Sequence, residues 1–428
     1  MRRRLIIFFL APILAIILIV AFIPNLTSIL QPREISILIW TDSEGNLEEA
    51  IQPIISNIQK SNGVKIVVET SSYDELHDKI VNAYTNGEPY DLMAIDDAWI
   101  AEFVATNWLE PMDKHFTTEI KQNLVKSSVE GATYNNTIYG FPYFADIHTF
   151  YYNTEILKTA KIKNPPQDWN EFIQDSILIK ELGLCEYPVA WSWKQGGPLS
   201  RDFFTILFSF GGKITDPGNI DNGQLYFADE SGVETLNLMI DIFSKYNITD
   251  PQSLTYSEEN VLNLFSAGET AFWLNCPYAP PILENNERSS VVGQWNTSLV
   301  PGLKPEMSGT IVYSMSYAIS ASSNEKDVVW ELIKSISGPD IQLKMTENQW
   351  IPTYKSVFTD PDAVKYNSAF PTMLNQFEYA TPRPNFSWWD EFSLTMETEI
   401  QKALNKEQTA EETLENCLNA TNNFRTTK

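Results

Sequence analysis

Beyond residue 33, apolar runs alternate with amphipathic stretches. Glu34–Trp40 (EISILIW), Val64–Glu69 (VKIVVE) and Tyr90–Ile95 (YDLMAI) are short and aliphatic, the composition of strands. Between them, SEGNLEEAIQPIISNIQ and YDELHDKIVNAYTNG carry apolar residues at helical spacing. The first helix is expected to break or kink near Pro53, and the second to close at Gly87. AWIAEFVATNW reads as a third helix. This alternation predicts a parallel sheet covered on both faces. Ligands in such sheets sit beyond the carboxyl ends of the strands. Asp96, Asp97 and Trp99 fall just past one such end.

The alternation then loosens. TIYGFPYFADIHTFYYNTEIL predicts extended chain with turns, leading to a helix after Asn153. In DWNEFIQDSILIK, Asp168 and Glu171 form a capping-box pattern ahead of helically spaced Trp169, Phe172, Ile173 and Ile177. WSWKQGGPLSRDFFTILFSFGG places a loop before a helix that stops at Gly211-Gly212. Val329, Leu332, Ile333 and Ile336 mark an amphipathic helix after Asn324. Phe392, Met396, Ile400 and Leu404 mark a long one capped by Ser387 and Asp390. AGETAFWLNCPY, Ala267 to Tyr278, predicts a buried strand that stops at Asn275-Cys276-Pro277 and presents a tyrosine. No repeat or low-complexity linker separates the segments.

The amino terminus departs from this pattern. Arg2-Arg3-Arg4 precedes the uncharged run Leu5–Ile23, long enough to span a hydrocarbon core of about 30 Å. The following FIPNLTSIL has no convincing cleavage site, so an uncleaved anchor is favoured over a signal peptide. The arginines would then stay in the cytoplasm and the rest of the chain outside.

Charge and missing motifs narrow the function. The 428 residues carry 55 acidic against 30 basic groups, a net charge of −25. Such a surface repels nucleic acid and lacks the basic footprint that binding it requires. Cys185, Cys276 and Cys417 form no C-x-x-C and no disulfide framework. There is no P-loop, G-x-S-x-G or H-E-x-x-H. His77, His115 and His148 lack metal-ligand spacing. Asp96 and Asp97 are adjacent, so on an extended chain they point opposite ways. An extracytoplasmic glycosidase using Asp97 or Asp146 would need a second carboxylate at a set distance, which the sequence does not supply. A sensor ectodomain is a further alternative, though no cytoplasmic output module accompanies the short basic amino terminus.

Six phrases in order resemble one family. They are GEPYDLMAIDDAWIAEFVATNWLEPMD, IYGFPYFADIHTFYYNTEIL, PPQDWNEF, LFSAGETAFWLNCPY, YAISASSNEKDVVWELIKSISGPDIQLKMTENQWIPTY and RPNFSWWDEF with ALNKEQTAEETLENCLNA. Together they resemble the extracellular solute-binding proteins of ABC importers, in the group that includes maltose-binding protein. The resemblance covers nearly everything after residue 34. It implies a bilobal α/β fold of two interwoven lobes that close on a small solute, with a hinge between them. The expected division is 1–33 as anchor, 34–146 with 318–360 as one lobe, and 147–317 with 361–428 as the other. It further implies a monomer serving a membrane permease, with a carbohydrate ligand, no catalysis, no cofactor and no metal.

Sugars present hydroxyls at the edge and C–H groups on the face, so their sites combine carboxylates with aromatic platforms. The candidates are Asp97 and Trp99 at the third strand's end, Asp146 after the Y-G-x-P-like segment, Trp191 and Trp193 before QGG, Tyr278, and Trp389 ahead of Trp388. Each has a plainer alternative in capping or core packing, and one of Trp191 and Trp193 is expected in the core. The chain departs from the family in lacking a lipid-bearing cysteine near the apolar run. Cys276 replaces a glycine, Tyr278 replaces a tryptophan, and Trp388-Trp389 lie one turn ahead of the family's ring, near whose place Ser393 stands.

Overall fold

Residues 33–41, 46–216 and 223–425 are described by a computed structural model. The Leu5–Ile23 run therefore lies outside the described residues. Among those residues no helix is long and apolar enough to cross a membrane.

Strands β1 (Arg33–Trp40), β2 (Val64–Ser71) and β3 (Leu92–Asp96) pair in parallel in the order β2-β1-β3. Helices Asn46–Asn62 and Tyr73–Thr85 connect them. The first helix runs unbroken through Pro53, against expectation. Pro53 lies on its exposed face, where water can satisfy the carbonyl that loses its amide partner. A short hairpin follows, β4 (Thr133–Tyr134) and β5 (Thr137–Ile138), turned by Asn135 and Asn136 with φ of 47° and 61°.

The chain then passes to a second sheet. Strand β6 (Phe141–Ile147) ends at His148, and β7 (Thr149–Asn153) begins on its far side. Strand β7 is flanked by β8 (Phe272–Asn275) and β9 (Trp295–Ser298), both antiparallel to it. Strand β10 (Thr310–Ile319) returns to the first sheet, antiparallel to both β3 and β6. Its first residues also pair in parallel with β11 (Ala380–Pro382). The first sheet is thus mixed, because the strand entering from the other lobe runs against β3.

Two large apolar cores result. One surrounds the first sheet and contains Ile37, Ile80, Phe103, Tyr317 and Leu332. The other contains Phe150, Phe172, Phe204, Met239 and Phe392. A smaller core, with Ile147, Val312, Phe358 and Phe370, lies around the crossing strands. Asp168 caps helix Trp169–Glu181 by accepting from the Glu171 amide, while Glu171 reaches the Gln167 amide. The penultimate helix, Trp389–Leu404, starts with Trp388 at its N-cap and no side-chain cap bond. The expected capping positions shift: Ser387 lies one residue ahead of the N-cap, and Asp390 is already inside the first turn. All three cysteines are free and buried.

Candidate functional site

A cleft of roughly 600 Å³ opens between the two lobes. Strand ends supply one wall: Trp40 closes β1, Asp96 closes β3, and Phe144 and Asp146 come from β6. Tyr313, Ser314 and Met315 of β10 lie alongside. The other wall is Gly196-Gly197, Arg201 and Glu258, with Trp389, Asp390, Ser393 and Glu397 from the penultimate helix.

Two arginines organise the floor. Arg201 Nη1 lies 3.0 Å from Asp146 Oδ2 and also contacts the Cys276 sulfur. Arg383 pairs with both Asp96 and Asp97, its Nε donating to Asp97 Oδ1 at 2.7 Å. The Tyr313 ring sits between the two guanidinium groups, 4.1 Å from Arg201 and 4.5 Å from Arg383. Tyr73 donates to Asp96 Oδ2 at 2.9 Å. These pairings hold the charged atoms in fixed positions, with Arg383, Asp96 and Asp97 buried beneath the cleft.

The helix Pro198–Ser209 begins at the cleft, and a carboxylate from another helix secures its start. Glu397 accepts from the Gly196 and Gly197 amides at 2.8 and 2.7 Å. Gly196 and Gly197 have φ of 135° and 108°, which side-chain-bearing residues rarely adopt.

The seven expected residues are distributed as follows. Asp146 and Trp389 line the cleft. Trp388 instead stacks on Phe386, with ring centres 3.9 Å apart. Asp97 is fully buried behind Asp96, its Oδ2 accepting from the Ser314 amide. Burial pushes its carboxyl up to about 7 against the pull of Arg383, with the Asp96 charge adding to the rise. Trp99 is only partly buried, but it faces a neighbouring depression with Tyr73, His77 and Glu102 rather than the main cleft. Trp191 and Trp193 stack on each other inside the second core, both at most 1% exposed. Their indole N–H groups donate to Thr249 and Asp202, leaving neither ring a face toward the cleft. Tyr278 is half-buried against the cluster around Phe265 and Leu283 and does not line the main cleft. Strand β8 does end beside the cleft, but the residue it delivers there is Cys276, next to Arg201.

Sequence reasoning missed Arg201, Arg383, Tyr73, Glu258 and Glu397. Arg201-Asp202 gave a usable signal, a charge pair inside the otherwise apolar LSRDFFTILF. Arg383, between two prolines and far from Asp96, gave none.

The comparisons agree with this architecture. A family model described as bacterial extracellular solute-binding protein matches residues 44–343. A binding protein of Brucella abortus is 25% identical over 306 residues, covering 68% of this chain and 69% of that one. The mannitol-binding protein of Pseudomonas aeruginosa is 24% identical over 57% of this chain and 55% of its own length. Among solved structures, maltose-bound MalE3 of T. maritima is 25% identical with a TM-score of 0.69, covering 91% of this chain and 98% of that one. The sugar-binding protein MalE of Xanthomonas citri shares the fold with a TM-score of 0.78 at 18% identity, covering 90% and 95%.

Proposed function

The chain belongs to the bacterial extracellular solute-binding proteins, and from that premise we propose that it captures a sugar or oligosaccharide outside the cytoplasm and delivers it to an ABC permease. The observation that carries this reading is the cleft itself. Ion-paired carboxylates, a tyrosine between two guanidinium groups and the Trp389 indole converge there from both lobes. Asp146 and Arg201 offer an acceptor and donors for hydroxyl edges, and Trp40, with the exposed edge of the largely buried Trp389, offers apolar surface for a sugar face. Relatives named for mannitol and maltotriose, and a neighbour solved with maltose, support this solute class.

The reading assigns no catalysis. Asp97 is occupied by Arg383 and the Ser314 amide and has no exposed surface for proton transfer. The protein acts as a monomer without a cofactor. The proposed division is 34–146 with a return through 360 as lobe 1 and the remainder after 146 as lobe 2. The return starts within β10 and ahead of the expected 318, because Met315 and Tyr317 already pack in the first core. The apolar run Leu5–Ile23, outside the described residues, is proposed to tether it by a single span. Related chains include a lipoprotein of Streptomyces antibioticus, which is consistent with a membrane-held family.

Thermal-shift screening against mono-, di- and oligosaccharides, followed by calorimetric titration, tests the reading. A solute at 100 times its Kd adds about 2.7 kcal/mol to stability. At least one sugar should raise Tm and saturate at one site per chain. A response only to amino acids or polyamines would overturn the solute class.

A further inference from the structure

At the lobe crossing, His148, Glu258 and Cys276 each present a ligand-type atom, all within 4.8 Å of one another. Glu258 and Cys276 come from one helix–strand unit, and His148 from a segment more than 100 residues earlier. His148 is the residue between β6 and β7, Cys276 follows the last residue of β8, and Glu258 opens the helix Glu258–Ala267. His148 is 2% exposed and Cys276 4%. Neither imidazole nitrogen of His148 has a hydrogen-bond partner. Its Nδ1 lies 3.1 Å from Asp202 Oδ1, close enough for an ion pair but without hydrogen-bond alignment.

Buried polar nitrogens without partners are costly, so such a ring calls for an explanation. We infer that His148, Glu258 and Cys276 form a binding site for a divalent transition-metal ion, with Zn²⁺ the best chemical match. One nitrogen, one sulfur and one carboxylate oxygen are the donor types of zinc sites that keep a fourth position open. Bonds of about 2.0–2.3 Å require donors somewhat closer than 4.8 Å. Glu258, half-buried and lining the cleft, has the rotamer freedom to close that gap. Asp202 Oδ1 lies 3.1 Å from Nδ1, near enough to take a hydrogen bond from it once the ring turns toward a metal held at Nε2, as carboxylates behind metal-bound histidines do.

Charge supports the site despite Arg201, which contacts the Cys276 sulfur. Its positive charge is offset by Asp146, and its N–H can donate to a metal-bound thiolate. On binding, the thiol releases its proton to solvent as the sulfur–metal bond forms. Since Glu258 lines the cleft, the fourth position opens there, within reach of water or a solute hydroxyl. This site does not depend on the identity of the solute.

The test uses the full chain, stripped with a chelator, and titrates Zn²⁺ against a chromophoric competitor. Co²⁺ then serves as the spectroscopic probe. One equivalent should bind, and Co²⁺ should give a sulfur-to-metal charge-transfer band. Cys276→Ser should abolish that band. Cys276→Ser and His148→Gln should weaken Zn²⁺ by roughly 100-fold or more, beyond the 10–100-fold typical of losing an outer-shell partner. Cys185→Ser and Cys417→Ser should leave both readings unchanged. Circular dichroism checks each fold, and the half-buried Glu258→Gln, which should lose at least tenfold, keeps the test open if a buried variant misfolds. Sub-stoichiometric uptake in the wild type, or a Co²⁺ band that survives Cys276→Ser, would overturn the assignment, whatever the sugar screen returns.

Discussion

Asp146 and Tyr278 were both expected to touch solute, and their surroundings now separate them. Asp146 sits in the cleft, its carboxylate 3.0 Å from Arg201. Asp146→Asn keeps the shape but removes the charge, and a hydrogen bond to a charged group is worth about 1.5–3 kcal/mol. Solute affinity should fall about tenfold or more, at ~1.4 kcal/mol per decade, with the fold intact. Tyr278 packs against the Phe265 and Leu283 cluster. Tyr278→Ala should therefore lower Tm while leaving affinity per folded molecule unchanged. Calorimetric titration with circular dichroism melts reads both outcomes. Wild-type affinity in a folded Asp146→Asn protein would remove that carboxylate from the site.

Among the elements, those set by local periodicity were legible. The strands β1 to β3 and the helix Lys326–Ile336 follow directly from apolar spacing and length. What was not legible depends on which faces meet. One of Trp191 and Trp193, which precede Gly196-Gly197, was expected at the cleft and the other in the core, yet both are buried in the second core. Asp96, Asp97 and Arg383 meet across nearly 300 residues, a distance no local pattern reports. The His148, Glu258 and Cys276 cluster was invisible for the same reason, since metal spacing is read only between near neighbours. The helix start at Gly196-Gly197 is a further case: the glycines are plain in the sequence, but Glu397, which binds their amides, lies 200 residues on. Gly197 has φ of 108°, so Gly197→Ala forces a strained backbone costing about 1–3 kcal/mol. Urea denaturation should show that loss as a lower midpoint with unchanged slope. An unchanged midpoint would mean the loop relaxes without cost.

At the scale of the molecule, the lobes are joined by three passages of chain, through β6 to β7, through β10, and around β11. Short crossings of this kind suit a hinge, because a few residues absorb the rotation while each core moves as a body. The cores on either side are large and meet around Ala98 and Trp99, so closure has to turn about that contact. The cleft draws its polar groups from both sides, and a solute that bridges them binds the closed form better than the open one. That difference is the whole driving force: turning a 1:99 closed-to-open ratio into 99:1 takes about 10⁴-fold tighter binding to the closed form. Small-angle scattering with a saturating sugar should therefore give a smaller radius of gyration than without it. The Asp146→Asn protein should need a higher sugar concentration to reach the same change. A radius that stays constant in a sample shown by calorimetry to be saturated would mean that the described arrangement is already the closed one, and that the solute enters without a hinge motion.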